Sequence, residues 1–522
     1  MNMQRTMHTF TRIAAFLVLA AGTAFAKVAH PDITPVAGID LYGTILDDVG
    51  APVAGVVVSD GFQCVATDAK GVYQMKRNPK ARMVYYSTPA AYVVNTLAKP
   101  GDKGGSAAFY AKLDKHAGLQ RHNFDLARLS APERKFTLVC IGDPQTKRDE
   151  QIVRYKKETI GDLRAFARAS VSPCYAILLG DVCGDAMDLH RPMRDATALA
   201  GIPFFAVIGN HDHDASVKGD DHKAGAGFES VFGPLNFSLN RGDVHIIGMD
   251  DILYNGSKNY KSGFTDEQVE WLRQDLSFVP KDKIIVLAYH APLGHGNAQN
   301  RENLMKLFEG YAEVHLMAGH SHNHRNTIIK KPIAAYEHVT GTACGAWWRS
   351  TLNTDGTPNG YGVFNFNGNK VADWFYKANG RGRDYQMRMY RGDASFGGPG
   401  GKFSYGKTAN DVVVDVWNAD SKWKIVAYEN GVKAGALKKL PRMVDAYAAG
   451  YHAGVLNNQR PGYGHVPPAR TSTSTCTPRK TPTPASKSAR PIVSEKPTRL
   501  TNTPPTTPSP SRRVDARPAF PI

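Results

Sequence analysis

Between residues 134 and 340 the chain alternates short, largely apolar runs with longer stretches of mixed polarity. The runs are Phe136–Ile141, Tyr175–Leu179, Phe204–Ile208, Val244–Met249, Ile284–Ala288 and Val314–Met317. Apolar residues without strict alternation predict strands covered on both faces. The intervals read as helices. In Thr265–Leu276, Thr265 followed by Gln268 three places on forms a capping box that predicts the helix start. Strands and helices in this order predict an α/β layered domain. The pattern changes on either side. Gly38–Leu46, Val53–Ser59 and Val72–Met75 are strand-like and are separated by turn-rich segments, 47–52 and 67–71. They predict a small β-sandwich. After residue 340, glycine turns, aromatics and strand-like stretches such as Asp411–Trp417 and Lys422–Tyr428 predict a second β-rich module.

The two ends do not fit this pattern. Arg5 and Arg12 precede the apolar Ile13–Ala21, and Ala24-Phe25-Ala26 is a small-x-small site. That order predicts an export signal over 1–26 rather than a membrane anchor, with the mature chain starting near Lys27. No later stretch predicts a transmembrane helix. Residues 461–522 hold 14 Pro and 11 Thr, with too little apolar surface to drive folding, so a disordered, basic tail is expected. The abrupt change also fits an altered reading frame. The expected division is 1–26, 27–130, 131–340, 341–460 and 461–522.

Charge changes the picture only at the end of the chain. The net charge is +17, and the tail's ten Lys and Arg against two acids supply about half of it. The remainder is a mildly basic surface, so nucleic acid is not expected as a specific partner. The six cysteines, Cys64, Cys140, Cys174, Cys183, Cys344 and Cys476, have no CxxC spacing, so no thiolate metal site is expected. Cys140 lies inside an apolar run and is expected to be a buried thiol.

The chemistry lies where the apolar runs end. Gly142-Asp143-Pro144-Gln145, Gly180-Asp181, Gly209-Asn210-His211-Asp212, Tyr289-His290-Ala291-Pro292 and Gly319-His320-Ser321-His322 each follow a predicted strand. Ligands of open α/β sheets bind beyond the carboxyl ends of the strands, so side chains scattered in sequence converge there. Asp143, Gln145, Asp181, Asn210, His290, His320 and His322 offer oxygen and nitrogen donors only, a set suited to Mn, Fe, Zn or Co. Seven donors are too many for one ion and fit two divalent ions. Such a pair can clamp a phosphoryl group and supply hydroxide near neutral pH.

In this order the five motifs resemble the calcineurin-like metallophosphoesterases. The resemblance covers about 135–340. Phe232-Gly-Pro, Phe237–His245 and Met249-Asp-Asp251 are similar to an exported subgroup with β-modules on both sides, and 37–127 resembles transthyretin-like or carboxypeptidase-regulatory-like modules. The resemblance implies a four-layer metallophosphoesterase β-sandwich flanked by helices, with N-terminal and C-terminal β-rich modules. It also implies hydrolysis of a phosphodiester or phosphomonoester by a metal-bridging hydroxide. Asp143, Gln145 and His322 would bind the first ion, Asp181 would bridge, and Asn210, His290 and His320 would bind the second. His211 would act at the leaving oxygen, with Asp212 orienting its imidazole. Gln145 stands where many members have His, which puts the first ion's identity in question. Asp185 falls one place beyond the family's second aspartate and receives no ligand role.

Other residues receive plainer readings. His213, His222, His245, His315, His324 and His338 are read as surface or satisfied core groups. His295 is read as not facing substrate. Trp347-Trp348-Arg349 is read as module core with Arg349 in solvent rather than as a wall over the site. The expected substrate is a small-molecule or envelope-polymer phosphoester, met in the periplasm or cell envelope of a bacterium. The rival reading is an envelope-polymer-binding protein with a degenerate phosphoesterase domain.

Overall fold

The computed structural model describes residues 28–98, 104–294, 297–398, 401–440, 443–456, 474–478 and 492–495. The predicted export signal lies outside the described residues.

Two six-stranded sheets form the centre. The first runs Val371–Ala378, Gly360–Asn367, Lys135–Ile141, Cys174–Leu179, Pro203–Val207, Gly105–Ser106. The second runs Phe237–Arg241, Val244–Gly248, Ile284–Ala288, Glu313–Ala318, Ala335–Val339, Arg325–Ile329. Side chains of a strand alternate between faces, and here both faces are apolar. Phe136, Leu138 and Cys140 meet Ile246, Ile284 and Val286 of the opposite sheet. Val139 and Ile141 turn outward onto Ile152, Leu163 and Met193 of the helices. On the other side Ile285, Leu287 and Leu316 pack against Trp271, Leu272 and Leu304. The result is helix, sheet, sheet, helix. This is the four-layer α/β arrangement, and it explains why the strands read as unbroken apolar runs.

Helix Asp266–Leu276 starts where the capping box predicts. Gln268 N–H donates to Thr265 Oγ1 at 3.1 Å, and Thr265 N–H donates to Gln268 Oε1 at 2.8 Å. The helix buries Trp271, whose Nε1–H donates to Ser59 Oγ at 3.0 Å. Ser59 belongs to the N-terminal module, a pair of four-stranded sheets spanning Leu41–Leu126. That module shares its core with the central sandwich. Phe109 lies 5.6 Å from both Phe205 and Phe237 between ring centroids. Its Gly105–Ser106 strand also pairs with Pro203–Phe204 and so becomes the edge of the first sheet. Arg241 closes the joint. It is wholly buried, donates to the carbonyls of Pro89 and Tyr92, pairs with Glu133 at 3.3 Å and lies over the Tyr175 ring.

Two strands that follow the expected boundary at 340 join the first sheet: Gly360–Asn367 pairs antiparallel with Lys135–Ile141, and Val371–Ala378 pairs beyond it. Without them a fully apolar strand would stand at an open edge. The expectation of an unfolded 461–522 fails at two places. Ser474–Pro478 pairs with Asp411–Val416, and Ile492–Glu495 pairs with Lys424–Glu429. Ladder pairing uses backbone groups, so a polar composition does not prevent it. The rest of that region lies outside the described residues. Among the described residues no helix is long and apolar enough to cross a membrane.

Arg241→Met would leave two buried carbonyls and Glu133 without their cation. The expected cost is about 3–5 kcal/mol, read as a lower denaturation midpoint in urea. An unchanged midpoint would show that the joint does not depend on this residue.

Candidate metal centre

The carboxyl ends of Lys135–Ile141, Cys174–Leu179, Pro203–Val207, Ile284–Ala288 and Glu313–Ala318 deliver the five motifs to one place. Asp181 lies at the centre. With His290 and His320 it forms one group whose ligand atoms all lie within 4.8 Å of each other, and with Asp143 and His322 it forms another. In the first group His290 Nε2 is 3.3 Å from Asp181 Oδ1, 3.2 Å from Asn210 Oδ1 and 3.2 Å from His320 Nδ1. The Nδ1–H of His290 donates to the Leu179 carbonyl at 2.7 Å, which turns Nε2 into the site. In the second group His322 Nε2 is 3.7 Å from Asp143 Oδ1. Gln145 donates from Nε2 to Asp181 Oδ2 at 3.0 Å, while its buried Oε1 has no partner. His322 Nδ1 is likewise buried and unpartnered.

The backbone is bent to make this approach. Asp143, Gln145, Asp181, His320 and His322 all have φ between 40° and 65°, the left-handed region. Each such residue costs about 1–3 kcal/mol, so five at one site mark a constrained function. The glycines of the motifs leave no room for a side chain. A Cβ at Gly319 would stand 2.6 Å from Asp143 Oδ2, and one at Gly209 would overlap the backbone nitrogen and carboxylate of Asp181.

Without an ion, protons and charges compete strongly within this group. Burial drives the Asp143 carboxyl far above its ordinary range. Burial also works against the Asp181 charge, but His290 outweighs it and holds that carboxyl below the usual range. Burial would keep His290 neutral, yet Asp181, then Asp143, raise it to about 10. Burial pushes His320 down to about 3 and His322 to about 4, as lone-pair donors require. Two buried carboxylates, three imidazoles and unpartnered Gln145 Oε1 make a donor set that divalent cations fit. Asp143, Gln145, His322 and Asp181 make one donor group, and Asp181, Asn210, His290 and His320 make the other.

His211 stands at the rim with Asp185, not Asp212, at its ring. His211 Nδ1–H donates to Asp185 Oδ1 at 2.8 Å. Asp185 also accepts from Lys258 Nζ at 2.9 Å; burial opposes its charge, but Lys258 and His211 hold its carboxyl below the usual range. Asp212 points into the fold instead. It accepts backbone N–H groups of Val182, Cys183 and Gly209 at 2.9–3.1 Å and faces His190 Nε2 at 3.1 Å. The expectation that Asp212 orients His211 is therefore corrected. The short helical turn Asn210–Asp212 places adjacent side chains on different faces.

The aromatic segment is also corrected. Trp347 stacks on His322 with centroids 4.7 Å apart, Arg349 lies over Trp347, and Trp348 Nε1–H donates to the Pro144 carbonyl at 2.8 Å. The segment walls the site. Two supports went unmarked in the sequence. Asp251 accepts the backbone N–H groups of His290 and Ala291, and Glu337 accepts from Tyr289 Oη and from the Leu293 and Gly294 N–H groups. Tyr260 places its hydroxyl 3.5 Å from His320 Nε2. Of the histidines read plainly, His245 is satisfied by Asn240 and Asp275. His213 is buried with its Nε2 between two carboxylates, 3.6 Å from both Asp221 Oδ1 and Asp250 Oδ2. His295 lies outside the described residues.

Three family models match the chain. "Calcineurin-like phosphoesterase" covers 136–324, its N-terminal companion covers 40–129, and its C-terminal companion covers 337–472. The chain carries calcineurin-like phosphoesterase domains in all three places. A curated relative, a probable glycerophosphodiester phosphodiesterase of Arcobacter nitrofigilis, is 26% identical over 171 residues, 31% of this chain and 61% of that protein. The chain thus spans under two thirds of that relative's length. Among solved structures, a purple acid phosphatase from yellow lupin seeds is 15% identical with a TM-score of 0.32, over 55% of this chain and 54% of that one. A 5'-nucleotidase precursor from Thermus thermophilus is 14% identical with a TM-score of 0.30, over 47% of this chain and 54% of that one. Scores of this size do not define a common fold.

Gly209→Ala is expected to weaken divalent-ion binding at least about tenfold, because its methyl must displace Asp181. Metal content after dialysis checks this, and unchanged content would refute the crowding. Asp212→Ala is expected to cost about 3 kcal/mol in denaturation, from the orphaned N–H groups it leaves.

Proposed function

We propose that this chain of calcineurin-like phosphoesterase domains is an exported, dinuclear metal-dependent phosphoesterase that favours a diester substrate. The observation that carries the reading is the convergence of five carboxylate and imidazole residues in two groups that share Asp181, with Asn210 against His290 and Gln145 against Asp181. When bound, two divalent ions supply Lewis acidity toward phosphoryl oxygens and a water acidic enough to act as nucleophile near neutral pH. The chain's own residues do the rest. The backbone N–H of His211 donates to Asp181 Oδ1 at 2.9 Å and fixes the carboxylate that the two donor groups share. Asp185 holds the His211 ring by Nδ1, and in the imidazolium form the remaining Nε2–H would pass its proton to the leaving oxygen, returning the ring to the neutral form. Lys258 and Arg349 place positive charge at the rim, where an anionic ester must approach. Trp347 stacks on His322 and shields that side from water.

Three things support the finer reading. A proton donor at the leaving oxygen suits an alkoxide leaving group. The Arcobacter relative is itself named as a phosphodiesterase. The leader-like 1–26 supports export to a periplasm or envelope. The rival, a polymer-binding protein with a decayed site, predicts lost donors, and all seven are present.

The test is hydrolysis of bis-(4-nitrophenyl) phosphate by the purified chain with Mn²⁺, beside the matching monoester. Asn210→Ala is expected to cost about 100-fold or more, and chelator to abolish turnover. His211→Ala should cost about 10²–10⁴-fold in kcat, and Asp185→Asn a smaller share of the same loss. Turnover that survives both chelator and Asn210→Ala would sink the proposal. Faster monoester than diester hydrolysis would remove its diester part.

A further inference from the structure

Beyond Asp212 the chain enters a second group of polar side chains that the main centre does not use. His213 is 2% exposed. Its Nδ1–H donates to the Gly209 carbonyl at 2.9 Å, which leaves Nε2 as the free ring position. Burial works against a charge on this imidazole, but Asp250 and Asp221 outweigh it and raise its pKa above the ordinary value, so a cation entering here displaces a proton. That Nε2 has no hydrogen-bond partner. It faces two carboxylate oxygens, Asp221 Oδ1 and Asp250 Oδ2, each at 3.6 Å. The three donor atoms all lie within 4.8 Å of each other.

A separation of 3.6 Å is too long for a hydrogen bond. It is close to the ~3.4 Å edge of a tetrahedron of donors placed 2.0–2.1 Å from one ion. The donors are also held in place. Asp221 Oδ1 accepts Tyr254 N–H at 2.8 Å, Asp250 Oδ1 accepts Ile252 N–H at 2.9 Å, and the His213 ring stacks on Tyr254 at 4.8 Å. Burial, and then the neighbouring Asp250, push the Asp221 carboxyl up to about 7, so the pair resists carrying two charges alone.

We propose that His213, Asp221 and Asp250 form a third divalent-cation site, of the zinc type, separate from the dinuclear centre. Its ligands are one imidazole nitrogen and two carboxylate oxygens. Asp221 has a side chain 32% exposed, which opens the remaining position to water. An ion there ties three segments together. These are the Gly209 carbonyl beside Asn210 and His211, the start of helix Asp221–Ala224, and the Ile252–Tyr254 strand of the hairpin closed by Tyr260–Ser262. That hairpin carries Lys258 to Asp185 and Tyr260 to His320. The ion is therefore a structural pin whose binding does not depend on the reaction at the main centre.

The experiment counts tight Zn²⁺ equivalents on the metal-stripped full chain against a competing chromophoric chelator. Asp250→Asn is the variant of choice. Its amide oxygen still accepts from Ile252, and its amide N–H can meet the His213 lone pair. It should bind one equivalent fewer than the parent chain, and Zn²⁺ should raise its melting temperature by less. His213→Gln should show the same difference of one. The difference is the readout, whatever the total, so it does not depend on the dinuclear reading. Equal stoichiometry in parent and variants would overturn the proposal and leave a protonated His213 held between two carboxylates. Where neither variant melts cooperatively, Asp221→Asn takes their place, and the same rule holds: one equivalent fewer than the parent supports the site, and equal stoichiometry overturns it.

Discussion

The structure is organised around crowding at Asp181. Two wholly buried carboxylates and three imidazoles converge on one place, held by backbone N–H groups and by each other rather than by solvent. His290 Nε2 alone meets three electron-rich atoms at 3.2–3.3 Å. Such a group would spread apart on a compliant scaffold. Here it cannot, because the strands that carry it are paired on both sides and the motif glycines let backbone and ligand touch. Gly180 lies against His290, Gly209 against Asp181 and Gly319 against Asp143. The left-handed residues at 143, 145, 181, 320 and 322 are the cost of turning each chain end inward.

That cost is carried by the layers around it. The two sheets bury one continuous core, and the helices cover their outer faces. The N-terminal module is part of the same structure rather than an appendage, because it supplies the last strand of the first sheet and locks to the second through Arg241 and Trp271. Bound cations would stabilise the folded chain further, since only the folded state assembles both donor groups. Rigidity of the sandwich and affinity at the strand ends are then one property: a looser sandwich would let the donors relax, and relaxed donors would hold divalent ions less tightly.

The parts legible in the sequence are those fixed by local chemistry. Strands buried on both faces leave apolar runs, Thr265 and Gln268 announce a helix start, and polar motifs after each run announce a convergent site. What stayed hidden depends on directions that sequence does not record. Asp212 adjoins His211 and looks like its partner, yet the Asn210–Asp212 turn sends it to the amides of 182, 183 and 209. Asp185, one place off the familiar spacing, takes that role because its own φ of 63° swings it to the rim. Trp347 was hidden for the same reason, with a φ of 49° that presents its ring to His322. Strands 360–367 and 371–378 return to the first sheet after a long excursion, and only the partner strand, not their own pattern, shows where they belong.

The site thus has two kinds of residue with different consequences. The inner donors come from strand ends and are held by backbone contacts, so their chemistry is set by the fold. The rim is assembled from Asp185, Lys258, Tyr260, Trp347 and Arg349, which arrive from loops and one hairpin strand distant in sequence. Loops tolerate change that a packed strand end does not. On the proposed reading, a phosphoryl group would meet the inner set, which would distinguish it little from other phosphoesters, and the organic part of the substrate would meet the rim. Selectivity would then reside in the rim, and the hairpin carrying Lys258 and Tyr260 would matter to it as much as the donors do.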